Sequence, residues 1–396
     1  MKILYHHRTR GDGAEGVHIS EIVSALKGLG HDVEIVCPRS AARSPGLAST
    51  GTGSNRSALQ PLKTLAKQAG EIAYNIVSFF RVRNGVRKHK PDFIYERYSS
   101  LNFGGIAAAK RMGVPVILEV NATFAGKFGS RHPVCFPGIL EKTERYCLEQ
   151  ADGIVAVSHA LRSCICERNV APERIIVSPN AVNPKRVLEV DRKTARKSKR
   201  NQLNIRDDEI VVGFVGSLRQ WHGIDFFADT MVDILSKNER VMFLIVGRGE
   251  YEDELRQRIA SGGIQSRVKL LGAVPHSEVY PIVAAMDIGV MPDSNEFGSP
   301  MKILEYMGMG CVPVGPRLGP IEEIIEEGVT GKLFDRRNKI SLINVIVDLS
   351  QNNEQRHQIA SNAAEYVVRF RTWEINAQQI ISLHEQILER PISKRI

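Results

Sequence analysis

Apolar residues in this chain fall into short β-branched runs that alternate with stretches of helical period, and the alternation occurs twice. KILYHH reads as a first strand. In EGVHISEIVSALKGLG the residues Val17, Ile22, Val23, Leu26 and Leu29 keep a helical period that Gly30 ends. DVEIVCP, DFIYER, VPVILEVN, GIVAVS and RIIVSPN are further strand runs. A second series opens at EIVVGFVGSL, passes into a helix from about Gly223, and continues through VMFLIVGRG, VKLLGAV, DIGVMP, CVPVG and GKLFD. Strand–helix alternation of this kind is the βαβ pattern of parallel, doubly wound sheets. TWEINAQQIISLHEQIL closes the chain as an amphipathic helix.

Two series in 396 residues predict an α/β protein of two domains. The boundaries expected are 1–190 and 205–370, with the basic, apolar-poor stretch 184–208 as the linker candidate. SAARSPGLASTGTGSNRS, rich in Ser and Gly, reads as a mobile loop. Open α/β sheets bind ligands beyond the carboxyl ends of their strands, so a two-domain cleft binder is the minimum expectation.

A hydrophobic content of 43% and a charged content of 24% fit a water-soluble globular chain, and no apolar run approaches a membrane span. MKILYHHRTRG lacks the apolar core of a signal peptide, and six scattered cysteines show neither zinc spacing nor a disulfide framework. A reducing cytosol is therefore expected. The net charge of +9 favours an anionic partner. With aromatic content of 6% and no aromatics interleaved in the basic runs, nucleic acid is not expected.

Candidate chemistry sits in the loops. Gly11, Gly13 and Gly16 bring RGDGAEGVH to a helix start, where the backbone can approach a phosphate or sugar; a plain tight turn is the other reading. The dinucleotide reading is set aside because EIVCPRS runs into Pro38 and Arg39 with no acidic residue ending the second strand. GFVGSLRQWHGID places Gly216, Arg219 and His222 at the matching point of the second series. Arginine suits a diphosphate, and His222 could donate to the same group. In NEFGSPMKILEYMGMG, Ser299 is the expected N-cap and Pro300 the first helical residue, with Lys302 and Glu305 on one face. Taken alone, that stretch fits a surface Lys–Glu pair and an anion site equally. No D-x-D, metal cluster, P-loop or G-x-S-x-G elbow is present, so no metal or cofactor is expected.

The order of the motifs over nearly the whole chain resembles the family-4 retaining glycosyltransferases of the GT-B fold. LKGLGHDVEIVCP, ADGIVAVSHALR, VSPNAVN, GFVGSLRQWHGID, LIVGRGEYEDEL, VKLLGAVPHSEVYPIVAAMDIGVMP, GSPMKILEYMGMGCVPV and GVTGKLFD follow the family's order. The resemblance implies two doubly wound Rossmann-like domains facing a cleft. The N-terminal one would serve the acceptor, the C-terminal one a nucleotide-sugar, and a final helix (about 375–396) would cross back to the N-terminal domain. It implies that Arg219 and Lys302 hold the diphosphate and that Glu305 binds the ribose hydroxyls, with Ser299, Met301 and Ile303 beside it. Gly216 opens the loop, and His222 stands where many members have a second lysine. Gly247, Arg248 and Val274 would flank the base, and Gly13 would approach the donor or acceptor.

Two positions depart from the family pattern. The register where many members have a second glutamate falls on Phe297, with Glu296 one residue off. Asn121 stands where many have a histidine, with Glu119 two residues earlier. By resemblance Asn121 and Glu119 orient the transferred sugar. The implied reaction moves a sugar, with retention and without metal, from a UDP-type donor to a saccharide or lipid-linked acceptor, as in bacterial polysaccharide or lipopolysaccharide assembly. A nucleotide-sugar epimerase of the same fold and a non-catalytic sugar-nucleotide binder are the alternatives. IAYNIVSFFRVRNGVRKHK reads either as an interfacial helix on an anionic cytoplasmic membrane face or as a core-packed helix with a solvated basic end.

Overall fold

The computed structural model describes residues 1–9, 11, 13–38, 60–125 and 134–390; the loop expected at 40–57 lies outside them. The chain separates into two compact units, one holding the described residues up to Pro179 together with those from Trp373 onward, the other Asn180–Thr372.

The first unit begins β1 (Lys2–His6), α1 (Gly13–Gly28), β2 (Asp32–Val36), α2 (Gln60–His89), β3 (Phe93–Arg97) and α3 (Gly104–Met112). It continues β4 (Val116–Val120), α4 (Pro137–Gln150), β5 (Gly153–Ala156), α5 (His159–Cys166) and β6 (Ile175–Val177). All six strands are parallel, in the order β2-β1-β3-β4-β5-β6.

The second unit runs α6 (Pro184–Glu189), α7 (Arg192–Gln202), β7 (Ile210–Val215), α8 (Ile224–Lys237), β8 (Val241–Val246), α9 (Glu252–Ser261), β9 (Val268–Gly272) and α10 (His276–Ala284). Then come β10 (Ile288–Val290), α11 (Met301–Gly308), β11 (Val312–Pro316), α12 (Gly319–Glu322), β12 (Lys332–Phe334), α13 (Lys339–Gln351) and α14 (Asn353–Phe370). Its strands are also parallel, in the order β12-β11-β10-β7-β8-β9. Two six-stranded parallel sheets with helical connections are the α/β architecture that the alternation predicts. The two orders differ, however. The second sheet reverses direction between β7 and β10, as in dinucleotide-binding folds, whereas the first reverses between β1 and β3, as in flavodoxin-like ones.

Burial explains the strand sequences. Every residue of β3, β4 and β8 is buried, as required of a parallel sheet covered by helices on both faces. The last helix, α15 (Trp373–Glu389), belongs to the first unit. Trp373 meets the His18 ring of α1 edge-on at 4.7 Å, and Asn376 donates to the Pro179 carbonyl at 2.8 Å. His384 stacks on Phe93 of β3 at 4.5 Å.

Residues 184–208, whose composition reads as a linker, form α6, α7 and a short return packed into the second unit. The reason is a partner far away in sequence. Arg200 is buried, donates to the carbonyls of Ala285, Arg206 and Glu209 at 3.0–3.1 Å, and reaches Asp287 Oδ2 at 2.6 Å. Arg196 takes the other Asp287 oxygen at 2.7 Å, and the Val211 amide donates to Oδ2 at 2.7 Å. Asp287→Asn leaves two guanidinium groups without their counter-ion. Urea unfolding should show a loss of about 3 kcal/mol; a loss within experimental error would mean that α7 is not held by this pair.

Candidate active site

In the second unit the loops after β7, β8 and β9 are joined through their backbones. Gly216 N–H donates to Val246, Leu218 to Arg248, and Gly247 to Gly272, at 2.7–3.0 Å. Arg248 is exposed with its guanidinium lying against Gly272, and Val274 is half-buried. Gly216 has φ +150°, and a Cβ there would stand 2.7 Å from Lys302 Nζ. A side chain at this position would occupy the place of the ammonium.

Lys302 lies in the first turn of α11. That helix is fixed by Tyr306, fully buried, whose hydroxyl accepts from the Val215 amide at the end of β7 at 2.9 Å. Lys302 Nζ is shielded from solvent, has no hydrogen-bond partner, and sits 4.4 Å over the centre of the Phe214 ring. Burial pushes its pKa down to about 7, with the Glu305 carboxylate opposing the shift. The first amides of α11 are free of intrahelical partners, so the unpaired ammonium and the positive end of the helix share one place. An anion is the chemistry that this arrangement lacks.

The expected cap is corrected. Ser299 Oγ accepts from the Asn180 amide at 2.9 Å, and Pro300 is the N-cap. Ile303 is fully buried in the core, so it can offer a ligand only its backbone; Met301 is half-buried. Arg219 is exposed and lies 4.7 Å over the Trp221 ring, which limits where its guanidinium can point. His222 also differs from expectation. Its Nδ1 is 2.7 Å from the Ser217 carbonyl oxygen, a bond that only Nδ1–H can make. Burial, then the charges of Lys302 and Arg219, push its pKa down to about 3. The ring is neutral, and Nε2 accepts rather than donates.

Glu305 is 12% exposed, and its Oε1 lies 3.6 Å from His276 Nε2 on α10. Sequence reading passed over His276, although VPHSEV contains it. It also passed over Asp293, which is buried and bound by Arg336 and Arg337. The doubled arginine after the last strand run was the available signal.

In the first unit Gly13 opens α1. The expectation that Glu119 faces a sugar is corrected: its side chain is 1% exposed and saturated. Tyr5 O–H donates to it at 3.3 Å, His18 Nε2 lies 3.1 Å away, and Arg97 and Asn121 also donate to it. Burial pushes this carboxyl up, but the Arg97 charge, then His18, outweigh burial and hold it well below the usual carboxylate range. It is an ionised anchor that orients Asn121, whose Oδ1 takes no hydrogen bond among the described residues.

Comparison with known proteins follows the same division. The family described as "Glycosyltransferase Family 4" matches residues 15–186, and the family described as "Glycosyl transferases group 1" matches residues 209–352. Alpha-D-kanosaminyltransferase of Streptomyces kanamyceticus is 21% identical over 64% of this chain and 66% of its own length. D-inositol 3-phosphate glycosyltransferase of Corynebacterium efficiens is 25% identical over 81% and 76%. Among curated relatives the match spans as little as half of the relative's length. The structure of Anabaena HepE in complex with UDP superposes with a TM-score of 0.72 at 20% identity, covering 98% of this chain and 100% of that one.

Lys302 sets a pH dependence. An unfolded lysine titrates near 10.4, so between pH 7 and 10 the unfolded chain binds more protons than the native one, and stability rises with pH. Against Lys302→Met, the wild-type protein should gain up to about 1.4 kcal/mol per pH unit between pH 7 and 9 in urea unfolding. Parallel curves for the two would show that the ammonium is not buried.

Proposed function

We propose that this chain, which belongs to glycosyltransferase family 4, transfers a sugar from a UDP-sugar donor to a hydroxyl of a saccharide or lipid-linked acceptor, retaining the anomeric configuration and needing no metal. The observation that carries the proposal is the shielded, unpaired Lys302 ammonium at the N-terminus of α11. A diphosphate would supply the missing counter-charge, and Arg219 on its tryptophan would take the outer oxygens. UDP bound in Anabaena HepE supports the choice of nucleotide. Glu305 would accept the ribose hydroxyls, and the backbone around Gly247, Arg248 and Val274 would flank the base.

As the bond from the anomeric carbon to the diphosphate oxygen breaks, Lys302 and Arg219 stabilise the charge gathering on that oxygen. The same oxygen takes the proton of the acceptor hydroxyl, whose oxygen bonds to the anomeric carbon on the face that the diphosphate leaves. The products are UDP and the extended acceptor. The test is acceptor-dependent release of UDP in EDTA. Lys302→Ala, Arg219→Ala and Glu305→Ala should each lower kcat/KM about a hundredfold or more. Near-normal kinetics in all three would reject the site, UDP-sugar turnover without acceptor would point to an epimerase, and a requirement for magnesium would reject metal independence.

The acceptor side bears on location. Among the described residues no helix is long and apolar enough to cross a membrane. The outward face of α2 nevertheless exposes Leu62, Leu65, Ile76, Val77 and Phe80, with Ile76 at 67%. These recur at helical spacing, and Arg83 and Arg87 continue the same face. Arg81 is engaged internally, donating to the Cys37 carbonyl at 2.8 Å. We infer from this an interfacial helix resting on an anionic cytoplasmic membrane surface, where a lipid-linked acceptor would lie. The protein should float with vesicles containing phosphatidylglycerol but not with phosphatidylcholine alone. Ile76→Glu with Phe80→Glu should abolish flotation; if the pair leaves it unchanged, α2 does not meet the membrane.

A further inference from the structure

We propose that Asp293 is a positioning residue for the diphosphate end of the donor site, holding the loop that leads to Lys302 in register with the loop that carries Arg219 and His222. The inference rests on the donor reading above, since it assigns Asp293 a task at that site.

Between β10 and α11, residues 291–300 form no regular structure, yet they determine where α11 begins. Asp293 is 3% exposed, deeper than any other acidic side chain of this loop. Its Oδ1 accepts from Arg336 Nε at 2.9 Å and from the Ser294 amide at 2.9 Å; its Oδ2 accepts from Arg337 Nε at 2.7 Å. Arg336 also donates to the Ser294 carbonyl and to Glu296 Oε1, each at 3.1 Å, which joins it to the loop at three residues. Arg337 reaches back towards Asp225 on α8 at 3.6 Å. Consecutive residues in extended backbone point in opposite directions. Arg337 has φ +60°, a left-handed conformation that non-glycine residues rarely adopt, and there two neighbouring arginines converge on one carboxylate.

The same side chain touches the other loop. Gly223, directly after His222, has φ +68°, and a Cβ on it would stand 2.7 Å from the Asp293 Cβ. Asp293 thus joins the loops after β7, β10 and β12, at the point where the sheet order reverses. Lys302 is aimed from one of these loops and His222 from another. The carboxylate ties the loop after β10 to Arg336 and Arg337, and the packing of its Cβ against Gly223 sets the distance to the loop that carries His222, so the separation of the two loops is fixed by a side chain whose two oxygens already accept hydrogen bonds.

The experiment uses the full chain with Asp293→Asn, which keeps the shape and removes the charge, and Arg337→Ala as a second variant. UDP affinity in EDTA is measured by calorimetry, uridine affinity by saturation-transfer titration, and amide exchange over 291–300 by mass spectrometry. Asp293→Asn should weaken UDP about tenfold, leave uridine within about twofold, and speed exchange of the loop. Arg337→Ala should do the same to a smaller degree, and the double variant should be no worse than Asp293→Asn alone. Equal losses for UDP and uridine, or unchanged exchange in Asp293→Asn, would overturn the proposal. If the wild-type protein binds no UDP, the donor reading fails, and the exchange measurement alone still decides whether Asp293 holds the loop.

Discussion

A parallel strand covered on both faces has no room for a polar side chain except at its ends, and both units are built under that constraint. β8 is apolar and buried throughout, while β3 and β4 admit Glu96, Arg97 and Glu119 only at or next to their carboxyl ends. Polar chemistry is thereby pushed into the loops beyond the strands, where helix N-termini leave amides without partners. In the second unit the reversal between β7 and β10 sends neighbouring connections to opposite faces and opens a gap that the loops 216–223 and 291–300 share. Arg219 is exposed beside that gap, while Lys302 Nζ is shielded and the His222 ring half-buried beneath it.

Burying a charge has only a few stable outcomes, and this chain shows two of them side by side. Asp287 and Glu119 are paired: each is surrounded by donors, and each ties together segments distant in sequence. Their task is complete in the folded chain. Lys302 is unpaired, and the free energy of shielding it appears as a pKa lowered to about 7. A residue whose charge is satisfied internally is an anchor, and one whose charge awaits a partner is a binding group. That distinction separates Glu119 from Lys302 although both are buried ionisable residues beside a strand end.

It also explains what the sequence could and could not disclose. The twofold strand–helix alternation was legible because burial on both faces leaves β-branched runs that no other element mimics. The strand order was not, since crossing between β1 and β3 or between β7 and β10 leaves no local mark. The junctions that carry Lys302 and Arg219 were legible from glycine, serine and proline, and the structure leaves the Lys302 ammonium there without a partner. The cap on Ser299 was misread because the amide of Asn180, 119 residues earlier, takes its oxygen. Asp293 and Arg336 lie 43 residues apart, and the basic run at 184–200 looked like a tether because Asp287 is nowhere near it in the sequence. Side chains whose role depends on a distant partner are silent in a local pattern.

Two positions in the second unit, His222 and Phe297, become intelligible together. His222 stands where many family members have a lysine, and the structure holds its ring neutral, so one positive charge is absent. Phe297 stands where many have a glutamate, so one negative charge is absent too. Glu296 does not restore it, being 53% exposed and paired with Arg336 at 3.1 Å. The two differences are opposite in sign, so together they leave the net charge of these positions unchanged. What changes is its distribution: the Lys302 ammonium is shielded by Phe214 and placed where Gly216 lacks a side chain, while Arg219 lies exposed on its tryptophan. The loop leading to Lys302 is held by a carboxylate with two arginines.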